Sequence, residues 1–361
     1  KNVEIFEQKF AKFVGCKYAV SVSNCSVGLQ IACKVAGVKK DTSIITSPIT
    51  FVSTANASLH NSGTIYLADV LKNNANIDPK SIERILKKKS NVKVILPVHF
   101  AGSTCNMIKI KQIAKKNNLV VIEDAAHAFG ARYKSGFYVG SCKYSDMAVF
   151  SFHPVKTIAT GEGGMITTNN KSFYRELIKL RSHGINKLDD KFINKKLSRE
   201  NGKVSPWYYE MQSLGYNFRL TDIQSSLGIS QLKRVNNFIS KRKMIAKKYD
   251  RFFSNFKYCT PLNYKNRNLS SNHIYVLLID YYRLKTSRTE LMELLNRAGI
   301  VTQVHYIPLH YHPYLNKKKY ILEKLKNAEK YYEEALSIPI FYDLSNEFQK
   351  YIMHIFKKIL S

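Results

Sequence analysis

No window of this 361-residue sequence approaches the roughly 18–20 consecutive apolar residues that a membrane span needs. The opening residues, KNVEIFEQKFAKFVG, lack the apolar core of a secretory signal peptide. They read instead as an amphipathic helix with Val3, Phe6, Phe10 and Phe13 on one face. Six cysteines (16, 25, 33, 105, 142, 259) include no C-x-x-C pair and no clustered histidine partner. That pattern argues against a disulfide framework and a zinc site, so no metal is expected and a reducing cytoplasm is the simplest fit. There is no internal repeat. Acidic residues are scarce, 26 against 57 Lys and Arg, for a net charge of +31. Such an excess invites a nucleic-acid reading. Arginine, the residue suited to bidentate phosphate and base contacts, supplies only 13 of the 57, and the lysines are spread along the whole chain. No specific nucleic-acid partner and no membrane partner are expected.

What is present is enough apolar residue, 45%, to fill two cores, and the length suits two domains. Strand-like and helix-like runs alternate through the first two-thirds, predicting an α/β domain over 1–235 with a mostly parallel sheet. From 236 to 361 the pattern changes to a smaller α+β unit. It has strands at Ile274–Ile279 and Val301–Tyr306 and helices at 288–298, 325–335 and 345–360. One helix is expected to start at a Thr221 cap and a separate, strongly basic one to run from Ser240 to Phe256. Residues 184–209 read as a long polar connection.

Several strand ends carry residues that could do chemistry. Met147–Phe152 reads as a buried strand that gives out at His153-Pro154, and Lys156 follows, ahead of Gly161, Gly163 and Gly164. A lysine on a turn at a sheet edge is a place where a desolvated amine could lose its proton and form a Schiff base. Leu119–Ile122 ends at Glu123-Asp124, with His127 three residues later. An acid there suits a ligand site at the carboxyl ends of parallel strands, or equally the cap of the next helix. Ser23-Asn24-Cys25-Ser26 opens a helix, as an ordinary cap or as an anion cup. Phe51 stands ahead of another helix.

The ordered segments SNCSVGLQIA, SPITFVSTANA, IEDAAHAFGA, SFHPVKTIATGEGG, GYNFRLTDIQSSLG and VHYIPLH together resemble the DegT/DnrJ/EryC1/StrS group of nucleotide-sugar aminotransferases across nearly the whole chain. The resemblance implies the pyridoxal-phosphate-dependent transferase fold type I, with a mostly parallel large domain and a smaller C-terminal domain. It further implies a homodimer with shared active sites. HPVK, TGEGG and HYIPLH look most like the members of that group in pseudaminic acid biosynthesis. The implied reaction is transamination of a UDP-linked 4-keto-6-deoxy-N-acetylhexosamine, with L-glutamate as donor and pyridoxal 5'-phosphate as cofactor.

Position by position, the resemblance makes Lys156 the Schiff-base lysine and Asp124 the acid facing the pyridine nitrogen. Phe51 matches the ring that stacks on the cofactor, and His127 the side chain beside its phenolic oxygen. Ser26 and Val27 would offer backbone amides to the phosphate and Ser151 a hydroxyl, while Asn217 would reach the phosphate of the neighbouring subunit. His305 and Tyr306 are expected at the sugar substrate. Two departures stand out. Cys25 occupies a position where the group usually has glycine, and the segment of some two dozen residues expected before KNVEIFEQKF is missing from this chain. Rival expectations are an aminotransferase for a bacillosamine- or perosamine-type sugar, and a non-catalytic basic binding protein on the same fold. The related 3-deoxysugar dehydratases carry histidine where this chain has Lys156.

Overall fold

A computed structural model of the chain describes residues 1–187, 192–262 and 267–360. Seven strands make the main sheet: β1 (Tyr18–Val22), β2 (Ser43–Thr46), β3 (Thr64–Leu67), β4 (Val92–Leu96), β5 (Val120–Asp124), β6 (Met147–Ser151) and β7 (Gly164–Thr168). Their order is β1-β7-β6-β5-β4-β2-β3. Only β7 runs against the rest, antiparallel to both β1 and β6. Such strands are apolar on both sides because helices cover both faces of a mostly parallel sheet. Alternation then divides them. Val20, Ile44, Val94, Ile122 and Val149 enter one buried cluster, and Ala19, Ile45, Ile95, Val121 and Ala148 another.

The covering helices are α1 (Asn2–Val14), α2 (Cys25–Val35), α3 (Val52–Leu59), α4 (Pro79–Leu86), α5 (Met107–Lys116) and α6 (Lys171–Arg181). Asp78 caps α4 ahead of Pro79 at its first position. Helix α1 presents the expected aromatic face. Phe10 is fully buried, with its ring 4.9 Å from Phe129 and 5.1 Å from Phe150. Phe10→Ala is expected to destabilise the protein by about 3–5 kcal/mol, because the surrounding rings cannot collapse into the space. A lower urea midpoint at unchanged slope is the check.

Helix α7 (Asp222–Phe253) is one helix of 32 residues, where the sequence suggested two. Thr221 and Gln224 form a full capping box at its start, and no proline or glycine follows Gly228 to interrupt it. Gly228 itself lets α1 close in, since a Cβ there would lie 2.5 Å from the Phe6 ring. Residue 235 falls inside α7. Val235 and Phe238 join a core of the main sheet, whereas Ile245, Tyr249 and Phe253 join a third cluster. That cluster holds a second, antiparallel sheet.

In the long connection, β8 (Ile185–Asn186) pairs with β11 (Glu210–Met211) and β9 (Arg199–Glu200) with β10 (Lys203–Val204); residues 188–191 lie outside those described. The second sheet has the order β12 (Cys259–Pro261), β13 (Tyr275–Ile279), β14 (Ala335–Ile338). Helices α8 (Arg288–Arg297) and α10 (Asn346–Leu360) flank it, and α9 (Lys326–Glu334) leads directly into β14. Residues 301–306 are not the expected strand. Only Gln303 bridges to Ser337, and the chain then leaves the sheet, with the Leu309 amide donating to the Pro48 carbonyl and the His305 carbonyl taken by Tyr331. Among the described residues no helix is long and apolar enough to cross a membrane, and no cluster of side chains suits a metal ion.

Candidate active site

Because β1, β2, β4, β5 and β6 run the same way, their carboxyl ends open on one rim, where ligands of such sheets bind. A cavity of about 650 Å³ sits there. Each strand end contributes to it. Asn24 to Val27 come after β1; Thr50, Phe51 and Ser53 after β2; Val98 after β4; Asp124, Ala126 and His127 from β5; Ser151, His153, Val155 and Lys156 from β6. Tyr306 closes it from the C-terminal segment, and Glu162 from the loop leading into β7.

Lys156 owes its place to the turn that the sequence foretold. Its amide donates to the His153 carbonyl at 2.9 Å, closing a four-residue turn with Pro154 at the second position. The base of the loop is clamped, with Phe152 N–H on the Gly163 carbonyl at 2.8 Å and Thr160 N–H on the Phe152 carbonyl at 2.9 Å. The lysine stands at the end of an interior strand, so the expected edge is the rim of strand ends and not the side of the sheet. Among the described residues Lys156 Nζ has no hydrogen-bond or ion-pair partner. Burial lowers its pKa from the ordinary value, although the negative charge of Asp124 opposes the shift.

Asp124 is 4% exposed. Its Oδ2 accepts from Thr54 Oγ1 at 2.7 Å and its Oδ1 from the Ala126 amide at 3.1 Å. Burial raises its pKa, and those two hydrogen bonds and Lys156 oppose the rise. Glu123 points to the opposite face, where it is buried against His99, Tyr133 and Ser145. The Cys105 amide donates to His99 Nδ1 at 3.1 Å, which puts the ring proton on Nε2, facing Glu123.

His127 Nε2 and the Tyr306 hydroxyl are 2.9 Å apart, while His127 Nδ1 is buried with no partner among the described residues. Burial, and then Lys156, push the His127 pKa well below the ordinary value, so the ring is neutral at pH 7. Phe51 leaves 56% of its surface open, its ring 6.1 Å from that of Tyr306. Cys25 is buried with the core beneath α2, and burial followed by Asp124 raises its thiol pKa, keeping it protonated. Gly164 makes room for that cup, because a Cβ there would sit 2.8 Å from the Asn24 carbonyl.

Eight of the residues singled out in the sequence therefore meet in one cavity: Ser26, Val27, Phe51, Asp124, His127, Ser151, Lys156 and Tyr306. Two do not. Asn217 is exposed and bridges Ser182, and His305 turns its ring to Ser337 Oγ at 2.9 Å. Burial, with Lys156 second, lowers the His305 pKa to about 4. One expectation needs correction. The Val27 amide is already taken by the Asn24 side chain at 3.0 Å, the ordinary capping bond, so the amides left to face an anion are those of Cys25 and Ser26 at the first turn. Sequence reasoning overlooked Thr50 and Thr54. Two hydroxyls four residues apart, flanking Phe51 at a helix start, were the available signal.

A pyridine ring bearing an aldehyde and a phosphate fits these groups. It asks for a free amine, an anion for its nitrogen, an open aromatic face and a helix start. It also offers a phenolic oxygen to the orphaned His127 Nδ1.

The model of the DegT/DnrJ/EryC1/StrS aminotransferase family matches residues 1–357. The UDP-4-amino-4,6-dideoxy-N-acetyl-beta-L-altrosamine transaminase of Campylobacter jejuni is 37% identical over 354 residues, 98% of this chain and 88% of its own length. The spore coat polysaccharide biosynthesis protein SpsC of Bacillus subtilis is 38% identical over 349 residues, 96% of this chain and 86% of its own. The solved structure of Helicobacter pylori PseC, described as an aminotransferase involved in the biosynthesis of pseudoaminic acid, matches at TM-score 0.87 and 30% identity, covering 100% of this chain and 91% of that one. This chain belongs to the DegT/DnrJ/EryC1/StrS aminotransferase family, pyridoxal-phosphate-dependent enzymes of fold type I.

Proposed function

We propose that this protein transfers an amino group from L-glutamate to a UDP-linked 4-keto-6-deoxy-N-acetylhexosamine, in the making of a pseudaminic-acid-type sugar. The observation that carries this reading is the unpartnered, half-buried Lys156 amine sharing one cavity with the Asp124 carboxylate. The name of the Campylobacter jejuni relative supports the choice of sugar. Bound pyridoxal 5'-phosphate supplies an electron sink for the carbon that loses a proton. Lys156 Nζ would hold the cofactor and, once free, would carry that proton as base and then acid. Asp124 keeps a proton on the ring nitrogen, Phe51 covers the ring face, and His127 holds the phenolic oxygen. Ser26 and Ser151 bind the phosphate. Tyr306 shapes the side from which the sugar enters, with His305 behind it, its ring turned to Ser337. Six free thiols and a nucleotide-sugar substrate suit the cytoplasm.

The proposal includes a homodimer. Ile223 is 85% exposed and Trp207 67%, and Tyr209, Met211 and Leu214 in the same stretch of sequence are also open, apolar surface that a second copy would cover. Asn217 lies in that region and would reach the partner's phosphate. Sedimentation at micromolar concentration is expected to give a dimer. A monomer that turns over at full rate contradicts shared sites.

The test of function is absorbance followed by assay. Loaded protein is expected to show a near-visible band that changes on adding glutamate, and label from the glutamate amine should appear on the sugar. Offering UDP-4-keto hexosamines of both C5 configurations identifies the substrate. No affinity for the cofactor contradicts the enzyme reading, and turnover of only the epimer outside the pseudaminic acid route contradicts the substrate. The pH dependence follows from Lys156. Only its neutral form attacks the cofactor aldehyde, and its pKa is lowered, so the capture rate is expected to level off at a pH below the ~10.4 of an ordinary lysine.

A further inference from the structure

Strand β5 fixes the Asp124 backbone, but the direction of its carboxylate is set by two donors, the Ala126 amide and the Thr54 hydroxyl. Thr54 is 0% exposed and Thr50 2%, and their hydroxyl oxygens lie 2.8 Å apart. A threonine hydroxyl has one proton, and a carboxylate can only accept. Thr54 therefore gives its proton to Asp124, and Thr50 must be the donor to Thr54. The two hydroxyls form a directed chain from Thr50 at the cavity wall to the buried carboxylate.

We propose that Thr54 is a positioning residue for transamination, which aims the Asp124 carboxylate at the cofactor's ring nitrogen, while Thr50 commits Thr54 to that bond. The proposal rests on the reading of Asp124 given above. Burial opposes ionisation of Asp124, and Thr54 is the strongest of the contacts that favour it. The other titratable groups whose charge is felt at the carboxylate are Cys25 from α2, Lys156 after β6, Tyr306 from the C-terminal segment and, from the opposite face of the sheet, His99 after β4. Cys25 and Tyr306 hold their protons, since burial raises both. If Asp124 took a proton, the chain would reverse and Thr50 would turn its own proton toward the cavity. The ring nitrogen would then lose its anionic partner.

Thr54→Val keeps the shape and removes the donor, and Thr54→Ser restores it. A hydrogen bond to a charged group of this kind supports on the order of a ten- to hundredfold effect. In the loaded enzyme, T54V is expected to lose that factor in kcat with little change in KM for glutamate. Its acid limb should move up by roughly one to two pH units, and T54S should recover both. In cofactor-free protein, carbon-13 NMR of the carboxyl groups should show Asp124 titrating at higher pH in T54V than in wild type. A T54V protein with the wild-type pH profile and the wild-type Asp124 titration overturns the proposal. Should T54V not fold, Thr50→Val is measured instead, with a smaller shift in the same direction expected and no shift overturning it. A wild-type protein that never develops the cofactor band overturns the transaminase reading, while the NMR titration still decides the Thr54 bond.

Discussion

Lys156→Ala is expected to reduce amino transfer by at least about 10⁴-fold, because two tasks are lost together: covalent attachment of the cofactor and proton movement at the reacting carbon. No other lysine lines the cavity among the described residues, so none stands ready to substitute. Fold stability should change little. The turn that carries Lys156 is held by backbone groups of His153, Phe152, Thr160 and Gly163, and its Nζ holds nothing in place. Surface-like changes of this sort usually stay within about 0.5 kcal/mol. Initial rates alongside thermal melts make the check. A variant with wild-type melting and one-tenth of wild-type activity would mean that Lys156 is not the reacting amine. Lys156→Arg should be no better than alanine, because a guanidinium keeps its charge and cannot act as the amine nucleophile.

Asp124→Asn is expected to lower turnover by about 10²–10³-fold, in line with removal of one preorganised electrostatic partner. Asparagine has nearly the same shape: its carbonyl oxygen can accept from the Ala126 amide while its NH2 donates to Thr54 Oγ1, which turns the Thr54 proton toward Thr50. What disappears is the charge that holds a proton on the ring nitrogen. Cofactor attachment through Lys156 should survive, so the near-visible band persists while the response to glutamate slows. This split separates the variant from Lys156→Ala, where attachment itself is lost. Stability should be equal or higher, since burial opposes the charge that the substitution removes. A variant that keeps full turnover would remove Asp124 from the ring nitrogen.

Much of the site was legible because it lies at strand ends, and strand ends are marked where an apolar run stops. Lys156 follows such a stop and a proline, Asp124 terminates another, and Phe51 opens a helix after a third. What the sequence concealed depends on competition between local groups. The Val27 amide looked available to an anion until the Asn24 side chain took it. Helix α7 looked like two because Lys233, Arg234, Asn236 and Asn237 crowd polar residues around Val235, yet nothing there breaks a helix. Residues 301–306 have the β-favouring Val, Thr and Tyr of a strand, but the Tyr331 hydroxyl on the His305 carbonyl and the Leu309 amide on the Pro48 carbonyl, both from partners distant in sequence, hold this stretch off the sheet. The Thr50–Thr54–Asp124 chain was hidden for the same reason. It joins a loop after β2 to the end of β5, and neither stretch alone shows that its hydroxyls face a carboxylate.

The most direct test of the central claim is borohydride reduction of the loaded protein followed by peptide mapping. The account predicts that the cofactor is fixed to Lys156 Nζ and that prior exposure to glutamate lowers the yield. Label on a different lysine, or none on a protein that still transfers amino groups, would contradict it.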